Sequence, residues 1–375
     1  MVKKFFPLIR KSIYIVVLFV ILIVLIALKN NPDVCEAMSR GLARVYGRVM
    51  TFLSGLIPFL SLTEVFFVSL ILLIIFLLVI SIIAFVKRKL FRGLSHLMTI
   101  PCVILLTVTV YTFSCELAYN RKEMPLPYYE TEVAREDFVP IYNYFADDLN
   151  NCIAQLSFKE NGDLENRSLN EITKEVKKAY QIVNDNYFNP YFGSVKPMLS
   201  SFIYREFQIT GVTFSPFGEA NINTMNTNAG IPLTVAHELA HTRGVMREDD
   251  ANKLAFYVCL NSEDPYLRYS AYVSYFYQLR SIASSSYLTT EELALCHQID
   301  SAYNKTNSYI YKYWQEHDLL EKFADFVNNL YIKSSGVQEG TDSYSGGTSY
   351  DFDPVTNKLH ASSYQKLFFD KYYRS

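Results

Sequence analysis

The apolar positions of this chain fall into two regimes. Ser12–Leu28, Val65–Val86 and Leu97–Cys115 are uninterrupted by any charge. A helix needs about 20 apolar residues to cross roughly 30 Å of hydrocarbon, so all three segments are expected to span a membrane. Pro101 is placed near the start of the third, where a missing backbone donor matters least. Beyond Cys115 the pattern becomes amphipathic. Ser168-Leu169-Asn170-Glu171 is a capping box that opens a helix to about Tyr187, with Ile172, Val176, Ala179 and Val183 at helical spacing. Thr289-Thr290-Glu291-Glu292 opens another, and Tyr266–Ala283 and Asn307–Tyr331 are aromatic-rich helical stretches. Gly211–Ser215 and Ala220–Asn223 alternate briefly, as a small hairpin or edge strand would. Ser334–Tyr350 is Gly/Ser-rich and reads as a flexible loop, and Tyr364–Phe369 as part of a final docking helix.

The expected organisation is a membrane region over 1–115 (spans 12–28, 65–86 and 97–115), an outer domain over 116–333, a flexible loop over 334–350 and a docking segment over 351–375. Within the first loop, Val45–Leu62 is apolar with few charges and is expected either in the membrane interface or packed on the spans.

Composition agrees with this division. Charged residues make up 19% of the 375 residues and hydrophobic residues 50%, against about 25% charged for a soluble globular protein. The 35 basic and 37 acidic side chains leave a net charge of -2, which removes the electrostatic basis for binding nucleic acid. With 14 Gly, 13 Pro and 6 Cys, collagen-like, wholly disordered and disulfide-scaffold classes are excluded. Lys3, Lys4, Arg10 and Lys11 precede the first span, and Lys87, Arg88, Lys89 and Arg92 follow the second. Positive flanks stay in the cytoplasm, so the N-terminus is expected inside and about 260 residues outside, enough for a core of their own. The first span exceeds a signal-peptide core and lacks a small-residue cleavage site, so it is expected to be retained. Cys35, Cys152, Cys259 and Cys296 would then face an oxidising exterior; burial as small apolar residues is favoured over disulfide pairing.

The chemistry is concentrated at Val235-Ala236-His237-Glu238-Leu239-Ala240-His241. His237 and His241 stand one turn apart on one helix face, where two neutral imidazoles can hold one Zn²⁺. Glu238 lies beside them as a general base for a zinc-activated water. A catalytic zinc needs a third protein ligand and an open position. Gly244 can end the helix, and Arg247-Glu248-Asp249-Asp250-Ala251-Asn252 follows. Glu248 is the preferred third ligand, with Asp250 and then Asp249 as alternatives. Asn252, one turn beyond Glu248, would support the ligand region.

HELAH, a glycine and then an E-x-x-A-N helix resemble the gluzincin branch of zinc metallopeptidases, in which the first Glu of that helix is the third ligand. Lys196-Pro197, Gly218-Glu219-Ala220-Asn221-Ile222-Asn223, HELAH, Arg247–Asn252 and Arg268-Tyr269-Ser270 resemble more closely a bacterial membrane family, number 3810 of the domains of unknown function. That likeness covers the span layout and roughly residues 130–333. Asp250 stands where its pattern leads one to expect Glu, which keeps Glu248 the safer ligand. The resemblance implies a mainly α protein: three N-terminal transmembrane helices, then a zincin-like α+β metallopeptidase domain with a small edge sheet. It also implies a bacterial plasma membrane. Glu219, Ala220, Asn221 and Asn223 would belong to an edge strand that pairs with an extended substrate, and Tyr269, with Arg268, would stabilise an oxyanion. The expected function is a membrane-anchored zinc metallopeptidase, with one Zn²⁺ per chain, acting on exposed or membrane-proximal peptides. The alternatives are a non-catalytic zinc-binding receptor or sensor and a zinc amidase of the cell wall.

Overall fold

A computed structural model describes residues 2–283, 287–334, 352–353 and 355–375. The Gly/Ser-rich stretch expected as a loop lies, from residue 335 onward, outside them. The chain divides into two compact units, Met1–Glu123 with Thr213–Glu219, and Met124–Val212 with Ala220–Ser375.

The first unit holds α1 (Val2–Leu28), α2 (Pro32–Met38), α3 (Arg44–Gly55), α4 (Leu62–Val86), α5 (Leu90–Tyr111) and the short α6 (Leu117–Tyr119), which a π-turn joins to α5. Phe5–Leu28, Leu62–Val86 and Leu90–Tyr119 are long and apolar enough to cross a membrane. Each helix begins before the apolar run that marks it. The third starts at Leu90, after a tight turn in which Arg88 takes φ 53°, so Pro101 sits in the helix interior and not in its first turn. Residues Leu90–His96 carry Arg92 and His96, which hid them from an apolar scan. Lys11 reaches from α1 to α5, donating to Ser95 Oγ at 3.1 Å and Thr99 Oγ1 at 2.6 Å. Buried Glu36 of α2 accepts two bonds from Arg121, at 2.9 and 3.0 Å, and ties α2 to the segment that leaves the third long helix.

The second unit is mainly helical: β1 (Val133–Ala134), α7 (Arg135–Ala154), α8 (Leu169–Ala179), β2 (Ser194–Pro197), α9 (Ser201–Glu206), β3 (Gly211–Phe214), β4 (Glu219–Ile222), α10 (Ile231–Thr242), α11 (Glu248–Leu260), α12 (Pro265–Tyr275), α13 (Tyr277–Ala283), α14 (Thr290–Leu295), α15 (Ser301–Gln315), α16 (Glu321–Ser334), β5 (Lys358–Leu359) and α17 (Ser363–Arg374). Thr213–Glu219, which completes β3, makes the turn and opens β4, is counted with the first unit. Both capping boxes form, at Ser168 and Thr289. The helix opened by Ser168 stops at Ala179, earlier than its periodicity suggests, because Asn184-Asp185-Asn186 and Asn189-Pro190 favour turns over continued helix. The stretch 266–283 is likewise two helices, parted at Phe276, and 307–331 is divided between α15 and α16.

Helices α10, α11 and α12 form the centre of the core, with α7 and α8 against them. In α17, Phe368 is fully buried and meets Phe145 and Phe256 with ring centroids 4.8 and 4.9 Å apart. A three-stranded sheet runs in the order β2-β4-β3 beside this core, and β1 pairs antiparallel with β5. All six cysteines are free thiols.

Candidate metal centre

Gly230 and Pro232 start α10, a position where proline's missing N–H has no helical partner to lose. The helix is fastened on the N-terminal side of its site-bearing stretch. Ser270 Oγ donates to the carbonyl of Ala229 at 2.6 Å and accepts from the N–H of Leu233 at 3.2 Å, and Tyr180 donates to the carbonyl of Ala236 at 2.6 Å. The helix ends at Gly244, whose φ of 89° lets the chain turn back. There the N–H of Gly244 reaches the carbonyl of His241, and that of Val245 the carbonyl of Ala240. Three residues later α11 opens with Glu248, facing α10.

This turn brings three ligand atoms together. The Nε2 atoms of His237 and His241 are 3.1 Å apart, and Glu248 Oε2 lies 3.1 Å from the first and 3.5 Å from the second. A four-coordinate zinc with ligand bonds of about 2.0–2.1 Å sets its ligand atoms about 3.3 Å apart, so the three side chains stand at tetrahedral edges. His241 Nδ1 meets the carbonyl of Val245 at 2.7 Å. A carbonyl only accepts, so Nδ1 carries a proton and Nε2 is the nitrogen turned toward the cluster. His237 Nδ1 is buried and, among the described residues, has no hydrogen-bond partner. Among the described residues no other group of three His, Cys, Asp or Glu side chains is close enough to share a metal ion.

Electrostatics give the same account. Burial lowers the affinity of His241 for a proton, but the Glu248 carboxylate overrides it, helped by Glu238 and the Val245 carbonyl, and His241 is pushed up to about 9. Burial would raise Glu248, yet the His241 and His237 rings hold its carboxyl well below the usual carboxylate range. Two lone pairs and a carboxylate this close require a shared cation: a proton in the metal-free chain, or a divalent ion in its place. Because Glu248 raises the affinity of His241 for its proton, a divalent ion placed there would compete with that proton, and its apparent affinity is expected to rise with pH from neutrality upward. Competition against a chelator at fixed pH values measures this; a flat profile would mean that His241 is already neutral.

Glu238 is 4% exposed and lies against β3. A Cβ built on Gly211 would come within 2.5 Å of Glu238 Oε1 and 2.6 Å of its Cγ. Only glycine leaves the carboxylate where it is. Gly211→Ala is expected to displace the Glu238 side chain or the strand and to lower stability by about 1–3 kcal/mol, the usual cost of overpacking; an unchanged unfolding midpoint would show that the site has room to spare.

The remaining sequence candidates fall elsewhere. The acid nearest in sequence, Asp249, pairs with Lys253 at 2.5 Å, and Asp250 with Arg247 at 3.6 Å. Asn252 is half-buried one turn beyond Glu248, and among the described residues its side chain makes no hydrogen bond to the three ligands. Tyr269 is fully buried; its hydroxyl donates to Thr306 at 2.7 Å, and Thr306 donates onward to the carbonyl of Gly162 at 2.6 Å. That commits Tyr269 to holding α12 against α15 and removes it as an oxyanion donor. Arg268 Nη1 donates to the carbonyls of Ser262 and Glu263, and its Nε pairs with Asp148 at 3.4 Å.

The strand expectation needs correction. β4, with Glu219, Ala220 and Asn221, is the central strand, so both its edges are already paired and an incoming peptide has no free ladder there. The carboxylate of Glu219 accepts from the backbone and hydroxyl of Thr63 at 2.6 and 2.7 Å. Asn221 and Asn223 donate to the carbonyls of Val212 and Ile209, at 3.2 and 2.8 Å, and so hold the neighbouring strand. The edge beside Glu238 is β3. Sequence reasoning missed β2, which puts β4 in the middle, because Gly193 and Pro197 give that stretch the look of a loop. It also missed Gly211 and Ser270; a glycine opening an alternating segment was the one available signal for the former.

A family profile described as a protein of unknown function (DUF3810) matches residues 38–350. The match covers most of the chain, which therefore belongs to that family. No curated protein and no solved structure matches it.

Proposed function

We propose that this DUF3810 member is a membrane-anchored zinc metallopeptidase that hydrolyses peptide bonds outside the cytoplasm. The observation that carries the reading is the convergence of His237, His241 and Glu248 at 3.1–3.5 Å, with Glu238 next in the chain to a ligand. Zinc held there would polarise a peptide carbonyl and lower the pKa of a water. Glu238 takes the proton as the water oxygen attacks the carbonyl carbon. It then returns that proton to the amide nitrogen as the C–N bond breaks. Burial keeps this carboxylate out of bulk water, and Gly211 gives it room. A purely structural zinc site has no use for an acid in this position, which favours an enzyme over a receptor.

β3 is an edge strand of its sheet, and an edge strand is where an extended chain can add to a sheet. That favours peptide over cell-wall substrates. The basic flanks Lys3–Lys11 and Lys87–Arg92 favour a cytoplasmic N-terminus, which, with three spans, puts the metal-bearing unit on the far side. The test is cleavage of a peptide library by the zinc-loaded full chain. Cleavage that disappears with a chelator and returns with zinc supports the reading; a zinc-loaded chain that cleaves nothing would support the receptor.

A further inference from the structure

α3 carries a surface of a different kind. Val45, Val49, Phe52, Leu53 and Leu56 recur at helical spacing on one side of it, and all are exposed, Val45 by 63% and Phe52 by 67%. Ile57 and Phe59 extend the stripe toward Val65 and Val68, the exposed apolar residues at the start of α4. The opposite face of α3 is occupied. Tyr46 donates to the carbonyl of Pro216 at 2.9 Å and Thr51 to that of Gly218 at 3.0 Å, and a Cβ on Gly218 would touch Thr51 Oγ1 at 2.5 Å. The stripe therefore points away from the rest of its unit. Exposed Arg48 flanks it.

We infer that α3 is an in-plane membrane helix, whose apolar stripe is covered by the phospholipid bilayer surface and whose Arg48 meets a lipid phosphate. α3 lies in the chain between α1 and α4, both long enough to cross a bilayer, so its two ends are tied to one face of that bilayer. Only residues 56–61 separate it from α4, a reach of about 20 Å even if fully extended. After buried Ser61, Thr63 and Glu64, exposed apolar residues resume in α4 at Val65 and Val68. An amphipathic helix with apolar side chains on one face and arginine on its flank fits the boundary between headgroups and acyl chains. This placement does not depend on the metal centre.

The test uses the full chain in phosphatidylglycerol nanodiscs. Trp314, the single tryptophan, is replaced by phenylalanine, and one probe is introduced as Phe52→Trp and, in a second protein, Val45→Trp. With brominated lipid, both probes are expected to lose more than about half their emission, as side chains at the acyl boundary do. The second protein carries the test if the first does not assemble. Unquenched, red-shifted emission would place the face in water. Unquenched, blue-shifted emission found only in discs holding two chains would assign the face to a second copy. Either result overturns the proposal.

Discussion

Glu238→Gln is expected to lower peptide hydrolysis by about 10²–10⁴-fold, the usual worth of a positioned general base, while zinc stays bound at one ion per chain. Glutamine keeps the shape and burial of the side chain beside Gly211 but cannot accept the proton of an attacking water. Because residue 238 is not among the three converging ligands, the variant separates chemistry from metal binding. Turnover against one peptide, measured beside zinc content, checks it. Activity within a few-fold of wild type, with zinc retained, would show that Glu238 is not the base. Loss of both would point to a damaged helix instead.

Glu248→Ala is the second large effect. Removing it leaves two imidazoles and no anionic ligand. Since even an outer-shell partner of a zinc ligand is worth about 10–100-fold in affinity, loss of this carboxylate is expected to weaken zinc binding by more than about 100-fold. It also removes the largest of the groups that raise His241; Glu238 and the Val245 carbonyl alone then oppose burial, and the His241 of the metal-free variant should titrate at lower pH. A chelator competition gives the first quantity and imidazole NMR the second. If zinc is kept in Glu248→Ala and lost in Asp250→Ala, the third ligand is Asp250.

Parts of this arrangement were legible in the sequence for a local reason. The three long apolar helices announce themselves by composition, and two capping boxes by residue type three positions apart. His237 and His241 share a face simply because a helix has 3.6 residues per turn. Glu248 required one more step, a glycine stop followed by a short turn. What stayed hidden depends on which elements become neighbours. Nothing in Glu219-Ala220-Asn221 says that β2 pairs on its far side, so a central strand looked like an edge. Tyr269 and Arg268, adjacent in sequence to Ser270, could not be told from site residues until their bonds to Thr306 and the Ser262 carbonyl were seen. The helix ends at Ala179 and Phe276 were missed because aromatic and apolar spacing continues across them.

Zinc K-edge absorption on the full chain carrying its metal tests the central claim most directly. The account predicts two imidazole nitrogens together with carboxylate and water oxygens, all near 2.0–2.1 Å, and no sulfur. A sulfur shell near 2.3 Å would place the metal on cysteines, all six of which are free. That result, or a chain that retains no zinc after metal-replete purification, would contradict a centre built from His237, His241 and Glu248.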